Sequence, residues 1–112
     1  MKKVTLRRRE ESSHRGFVRA VALLIDESEL HIFEYIDYKL SKISYAYHFQ
    51  TQDGELILRY DNEPHYPELT TFPHHKHISD ASSPESSEPV IVEDVLAEAA
   101  AYIASKGRKN EL

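Results

Sequence analysis

Ile43-Ser44-Tyr45-Ala46-Tyr47-His48-Phe49 is followed, after Gln50-Thr51-Gln52-Asp53-Gly54, by Glu55-Leu56-Ile57-Leu58-Arg59-Tyr60-Asp61. β-branched and aromatic residues fill both runs, and Asp53-Gly54 tolerates the positive φ of a tight turn, so the pair predicts a β-hairpin. A two-residue turn sets His48 opposite Arg59, whereas a four-residue turn sets it opposite Ile57. In either register the same side chains share a face, because the side-chain period of a strand is two. Ile43, Tyr45, Tyr47, Phe49, Leu56, Leu58 and Tyr60 make an apolar, aromatic face that reads as core. Ser44, Ala46, His48, Ile57, Arg59 and Asp61 make the other, the candidate working face. Its plain structural reading is a half-exposed strand histidine beside an Arg59–Asp61 surface ion pair of little energetic weight.

Upstream, Phe17–Ile25 and Leu30–Ile36 flank the polar turn Asp26-Glu27-Ser28-Glu29 and predict a second hairpin. Alternation is weak in the first of these runs, which suits a central strand covered on both faces. Residues 16–61 are therefore expected to be antiparallel strands. Residues 1–14, basic at Lys2, Lys3, Arg7, Arg8 and Arg9, suit a solvated edge strand or an arm that contacts phosphate.

Downstream the character changes. Arg59-Tyr60-Asp61-Asn62-Glu63-Pro64-His65-Tyr66-Pro67-Glu68-Leu69-Thr70-Thr71-Phe72-Pro73-His74-His75-Lys76-His77 holds four of the seven histidines. Pro64, Pro67 and Pro73 remove backbone donors and fix φ, so residues 62–78 predict a stiff His/Pro-rich loop. Residues 79–89 are a polar Ser/Pro/Glu linker. Then Val92, Val95, Leu96, Ala99, Tyr102 and Ile103 recur at helical spacing and predict a helix over residues 90–105. Pro89 suits its start, and Gly107 its C-terminal cap. The Ala99-Ala100-Ala101 run also leaves room for a partner helix, as a homodimer would use.

These elements make an α+β domain spanning residues 1–112: an antiparallel sheet of four or five strands, with the helix on the aromatic face and the histidine loop at the sheet end or on the other face. A hydrophobic content of 40% against 29% charged residues fits a globular chain, and no apolar run reaches the ~18 residues that would span a bilayer. Cytoplasm is the expected compartment. Without cysteine, neither a thiolate nucleophile nor a Cys-type zinc site is available. A net charge of −5 opposes broad nucleic-acid affinity, but not a local basic patch.

Three chemistries fit the histidine segment. In the acid–base reading, two of His48, His65, His74, His75 and His77 exchange protons with an RNA 2′-OH and its leaving oxygen. Arg59 or Lys76 meets the phosphate charge, Asp61 belongs to the catalytic set, and Lys76, Asn62 and Tyr66 are expected to bind the substrate. No cofactor is needed, and Lys76 between His75 and His77 would repel a divalent ion, unless an extended backbone points it away from both. In the metal reading, Asp61 and His65 with His74 and His77, or with His75 and His77, hold zinc, manganese or nickel. In the plain structural reading, a Pro/aromatic loop packs and its histidines cap backbone groups.

The strings Arg59-Tyr60-Asp61-Asn62, Pro64-His65 and Phe72-Pro73-His74-His75-Lys76-His77 resemble the signature of the TumE-like family of small toxin–antitoxin proteins. So do Glu29-Leu30-His31-Ile32-Phe33-Glu34-Tyr35, Tyr45-Ala46-Tyr47-His48-Phe49-Gln50 and the C-terminal helix, so the resemblance covers residues 16–102. The chain departs from the pattern at Tyr66, where a second histidine is expected; its role is dispensable, taken over by the phenol, or lost. The resemblance implies a toxin component with a cognate, DNA-binding antitoxin. Since many small toxins cleave RNA, it converges with the metal-independent ribonuclease reading. The alternative is a non-catalytic metal- or protein-binding module.

Overall fold

The computed structural model describes residues 2–79 and 81–110. Among them, every strand pairs with its sequence neighbours in one antiparallel sheet. The strands are β1 (Lys3–Glu11), β2 (Arg15–Leu23), β3 (Glu29–Asp37), β4 (Lys42–Gln50), β5 (Leu56–Asp61), β6 (His75–Ile78) and β7 (Glu85–Ser86), and helix α1 (Val92–Asn110) follows. The sheet has seven strands rather than four or five. Residues 3–11 take the strand option, forming a charged edge of the kind that discourages further pairing. The two other additional strands fall in segments expected to lack them: β6 at the end of the histidine loop, β7 in the polar linker.

The central hairpin matches the two-residue-turn register where it matters, with His48 opposite Arg59 and Tyr47 opposite Tyr60. It reaches that register by another route. Thr51 and Glu55 bracket a three-residue connection in which Gly54 takes a φ of 91°, and the register then shifts by one between Phe49 and Gln50. The extra residue is Ile57, and the shift breaks strict alternation there. Ile57 consequently packs against the core instead of standing on the histidine face, while Ile43, at the far strand end, is 56% exposed rather than core.

Ala22, Leu24, Leu30, Tyr45, Tyr47, Phe49, Leu58 and Tyr60 meet Val95 and Ala99 of α1 in the buried cluster. Tyr102 sets its ring edge-on to Phe49 at 5.7 Å between centroids, and the Tyr60 hydroxyl donates to Glu98 at 2.7 Å, tying helix to sheet. The Asp94 carboxylate accepts from the Ile91 amide at 3.1 Å and caps the helix start. Gly107 does not end the helix, which continues to Asn110. None of the described helices is long and apolar enough to cross a membrane.

Candidate active site

β6 decides the geometry of the site. In a strand, alternate residues point to opposite faces, so pairing of β6 with β5 sets His75 opposite Asp61 and His77 opposite Arg59. With His48 opposite Arg59 on the other side, a row His48, Arg59, His77 crosses three adjacent strands on the face away from α1. A parallel row runs Ala46, Asp61, His75.

Asp61, only 2% exposed, is the hub. Its Oδ2 accepts from Arg59 Nε at 3.0 Å and lies 3.7 Å from His77 Nε2. Its Oδ1 accepts from the Glu63 amide at 3.0 Å and meets His75 Nε2 at 2.9 Å. The Nδ1 of His75 donates to the Pro73 carbonyl at 3.0 Å. That carbonyl can only accept, so Nδ1 carries the hydrogen. The ring thus turns Nε2 to the Asp61 carboxylate, and the two form a buried pair. Tyr66 seals it, with its ring edge-on to His75 at 4.9 Å and to His77 at 6.0 Å.

Arg59 Nη1 reaches His48 Nδ1 at 3.3 Å. Guanidinium only donates, so neutral His48 accepts at Nδ1 and carries its hydrogen on Nε2. Burial lowers the His48 pKa below the ordinary histidine value, and the Arg59 and His31 charges lower it further against an opposing Gln50 hydrogen bond. Burial also lowers that of His77, with Asp61 opposing and His75 and Arg59 adding to the fall.

The remaining candidates lie elsewhere. Lys76 pairs with Tyr60 and so stands on the opposite face from His75 and His77; the cation in the row is Arg59. His74 Nδ1 meets the Tyr45 hydroxyl at 2.7 Å, its ring stacked on that tyrosine at 5.8 Å, away from Asp61. Asn62 splices backbone, accepting from the Tyr45 amide at 2.9 Å and donating to the Ile43 carbonyl at 2.7 Å. His65 is exposed and neighbours only the Tyr66 ring, at 6.3 Å, among the aromatic pairs.

Of the metal candidates, Asp61, His75 and His77 bring ligand atoms within 4.8 Å of one another, while His65 and His74 stay apart. Such a cluster is not by itself evidence of a metal. The Arg59 guanidinium already uses Asp61 Oδ2, and a divalent ion beside it would meet like charge.

His31 escaped sequence reasoning. It pairs directly with His48 and donates from Nε2 to the Glu29 carboxylate at 2.8 Å, extending the row to four strands. The signal was present in the Asp37–Lys42 closure of the β3–β4 hairpin, which fixes the pairing sum that brings these two histidines together.

No curated protein and no solved structure matches the chain. A family model described as Toxin TumE matches residues 1–106, nearly the whole of the 112-residue sequence. The chain belongs to this toxin family.

Proposed function

We propose that this toxin is a metal-independent ribonuclease working through the row His48, Arg59, His77. The observation that supports the reading is the alignment of the row: two imidazoles flank one guanidinium as direct cross-strand neighbours, whose Cβ atoms lie about 5 Å apart. Cleavage of RNA by its own 2′-OH needs a base on the attacking side of phosphorus, an acid on the leaving side and a cation between.

His77 takes the proton from the 2′-OH, because the imidazolium it becomes lies beside Asp61. The 2′-oxygen then bonds to phosphorus and the P–O5′ bond breaks. His48 gives the leaving oxygen its proton, since an imidazolium beside Arg59 releases one readily. Arg59 binds the non-bridging oxygens. In turning Nη1 toward them it frees His48 Nδ1 to hold the proton that is donated. His75, 2% exposed, does not reach substrate; it fixes Asp61, and Asp61 fixes Arg59 through Nε. The products are a 2′,3′-cyclic phosphate and a 5′-hydroxyl.

Membership of a toxin family implies a cognate antitoxin, and a DNA-binding protein encoded next door is the partner this reading expects. Purified protein incubated with RNA, with and without chelator, tests the chemistry. Cleavage that survives chelation and leaves cyclic phosphate ends is the expected result. Activity lost on metal removal and restored by adding metal would assign the Asp61–His75–His77 cluster to a metal instead, and no cleavage would favour the non-catalytic alternative.

A further inference from the structure

The open face does not stop at the three reactive side chains. A groove of about 440 Å³ continues from Arg59 and His48 across His31 and Phe33 to Arg19 and Arg7. Every step follows the pairing of adjacent strands: Arg59 with His48, His48 with His31, and, one row along, Ala46 with Phe33 and Phe33 with Arg19. Arg7 reaches the groove because the β1 register slips between Leu6 and Arg8, leaving Arg7 as the additional residue. Strands lie ~4.8 Å apart, so the path from β6 to β2 is on the order of 19 Å.

Charge in the groove runs against that of the chain. The whole molecule carries −5, yet Arg7, Arg19 and Arg59 line the groove, and Glu63 is the acidic residue lining it. The exposed Arg19 guanidinium lies 4.9 Å from the Phe33 ring centroid and 5.6 Å from that of Phe17. Supported from beneath by two aromatic rings, this plane has an outer surface suited to stacking on a nucleobase.

We infer that this groove is the track for single-stranded RNA, carrying on the order of four nucleotides from the His48–Arg59–His77 row to Arg19 and Arg7. The inference rests on the ribonuclease reading and adds the strandedness and path of its substrate. A duplex fits poorly: its bases are already paired, so none is free to stack on Arg19.

The test uses the full chain and fluorescent 2′-O-methyl RNA, which lacks the attacking hydroxyl and so reports binding alone. Single strands of two, four and eight nucleotides and an eight-base-pair duplex are titrated at several salt concentrations. Affinity should rise from two to four nucleotides and favour the single strand over the duplex by tenfold or more. In the Arg7→Ala/Arg19→Ala variant, the slope of log affinity against log salt should flatten by about 1.4, which is two phosphate contacts at ~0.7 each for a single strand. Arg19→Lys, which keeps the charge and loses the flat stacking surface, should keep the slope and lose about fivefold in affinity. Length-independent binding, preference for duplex, or an unchanged salt slope in the double variant would overturn the track. Cleavage of ordinary RNA measured in parallel separates the two claims: binding with these signatures but no cleavage sinks the ribonuclease and leaves the track, whereas cleavage without them does the reverse.

Discussion

The two faces of the sheet are built from the same strands and differ in almost every property. On one, Tyr45, Tyr47, Phe49, Leu58 and Tyr60 are at most 7% exposed beneath α1. On the other, one residue along each strand, His48 and Arg59 are half-buried, and only Asp61 and His75 are buried fully. The closed face spends polar atoms at its margins, where Tyr47 donates to Glu34 at 2.6 Å and Tyr60 to Glu98. The open face concentrates them on a single carboxylate. A strand period of two thus separates stability from chemistry, and substitutions on the two faces should fail in different ways.

The largest effect is expected on the open face. His77→Ala or His48→Ala should lower RNA cleavage by about 10²- to 10⁴-fold while the protein still melts cooperatively near the wild-type temperature. If the protein inhibits growth when expressed, the inhibition should vanish in the same variants. Phe49→Ala inverts the pattern: truncating a ring that is 1% exposed should cost about 3–5 kcal/mol in denaturant unfolding and reduce activity only through loss of folded protein. Asp61→Asn sits between, since it strips charge from a buried hub. A loss of about 1–3 kcal/mol together with weakened cleavage is expected, because Arg59 and His75 lose their anchor.

A smaller effect follows from pH. The folded-state values of His48 and His77 lie below those of the unfolded chain, which therefore takes up protons first on acidification. Stability from these groups is complete above the ordinary histidine pKa of about 6.5 and is lost as pH falls through it toward the folded values. The melting temperature should decline from pH 7.5 to 5.5, and the His48→Gln/His77→Gln variant should decline less. Smallest of all, Lys76→Ala should change stability by no more than about 0.5 kcal/mol and leave cleavage intact, since Lys76 stands on the other face.

Much of this division was legible in the sequence. Parity in Tyr45–Phe49 and Leu58–Asp61 separated the faces under either turn length, and the stripe from Val92 to Ile103 located the covering helix. The misreadings have local causes. β6 is four residues of His-Lys-His-Ile behind a proline-rich segment, with too little apolar content to look like a strand. It is nevertheless the element that selects His75 and His77 and excludes His74 and Lys76. β1 was no misreading but an open choice between edge strand and arm, since Arg7-Arg8-Arg9-Glu10-Glu11 lacks the alternation that would decide it, as an exposed edge permits. The bulge at Ile57 leaves no sequence mark, because an apolar residue there suits an ordinary strand position as well as the core against which the shift packs it. His31 stayed hidden because its significance is the partner across the strand and not its own neighbours.

The pH dependence of kcat/KM for RNA cleavage, measured in chelator for the wild type, His77→Ala and His48→Ala, tests the assignment of the row most directly. The wild type should give a bell, with the acidic limb set by His77, which must be neutral to accept a proton, and the alkaline limb by His48, which must be charged to donate one. The residual activity of His77→Ala should lack the acidic limb, and that of His48→Ala the alkaline limb. Wild-type rates with both limbs intact in either variant would contradict the account.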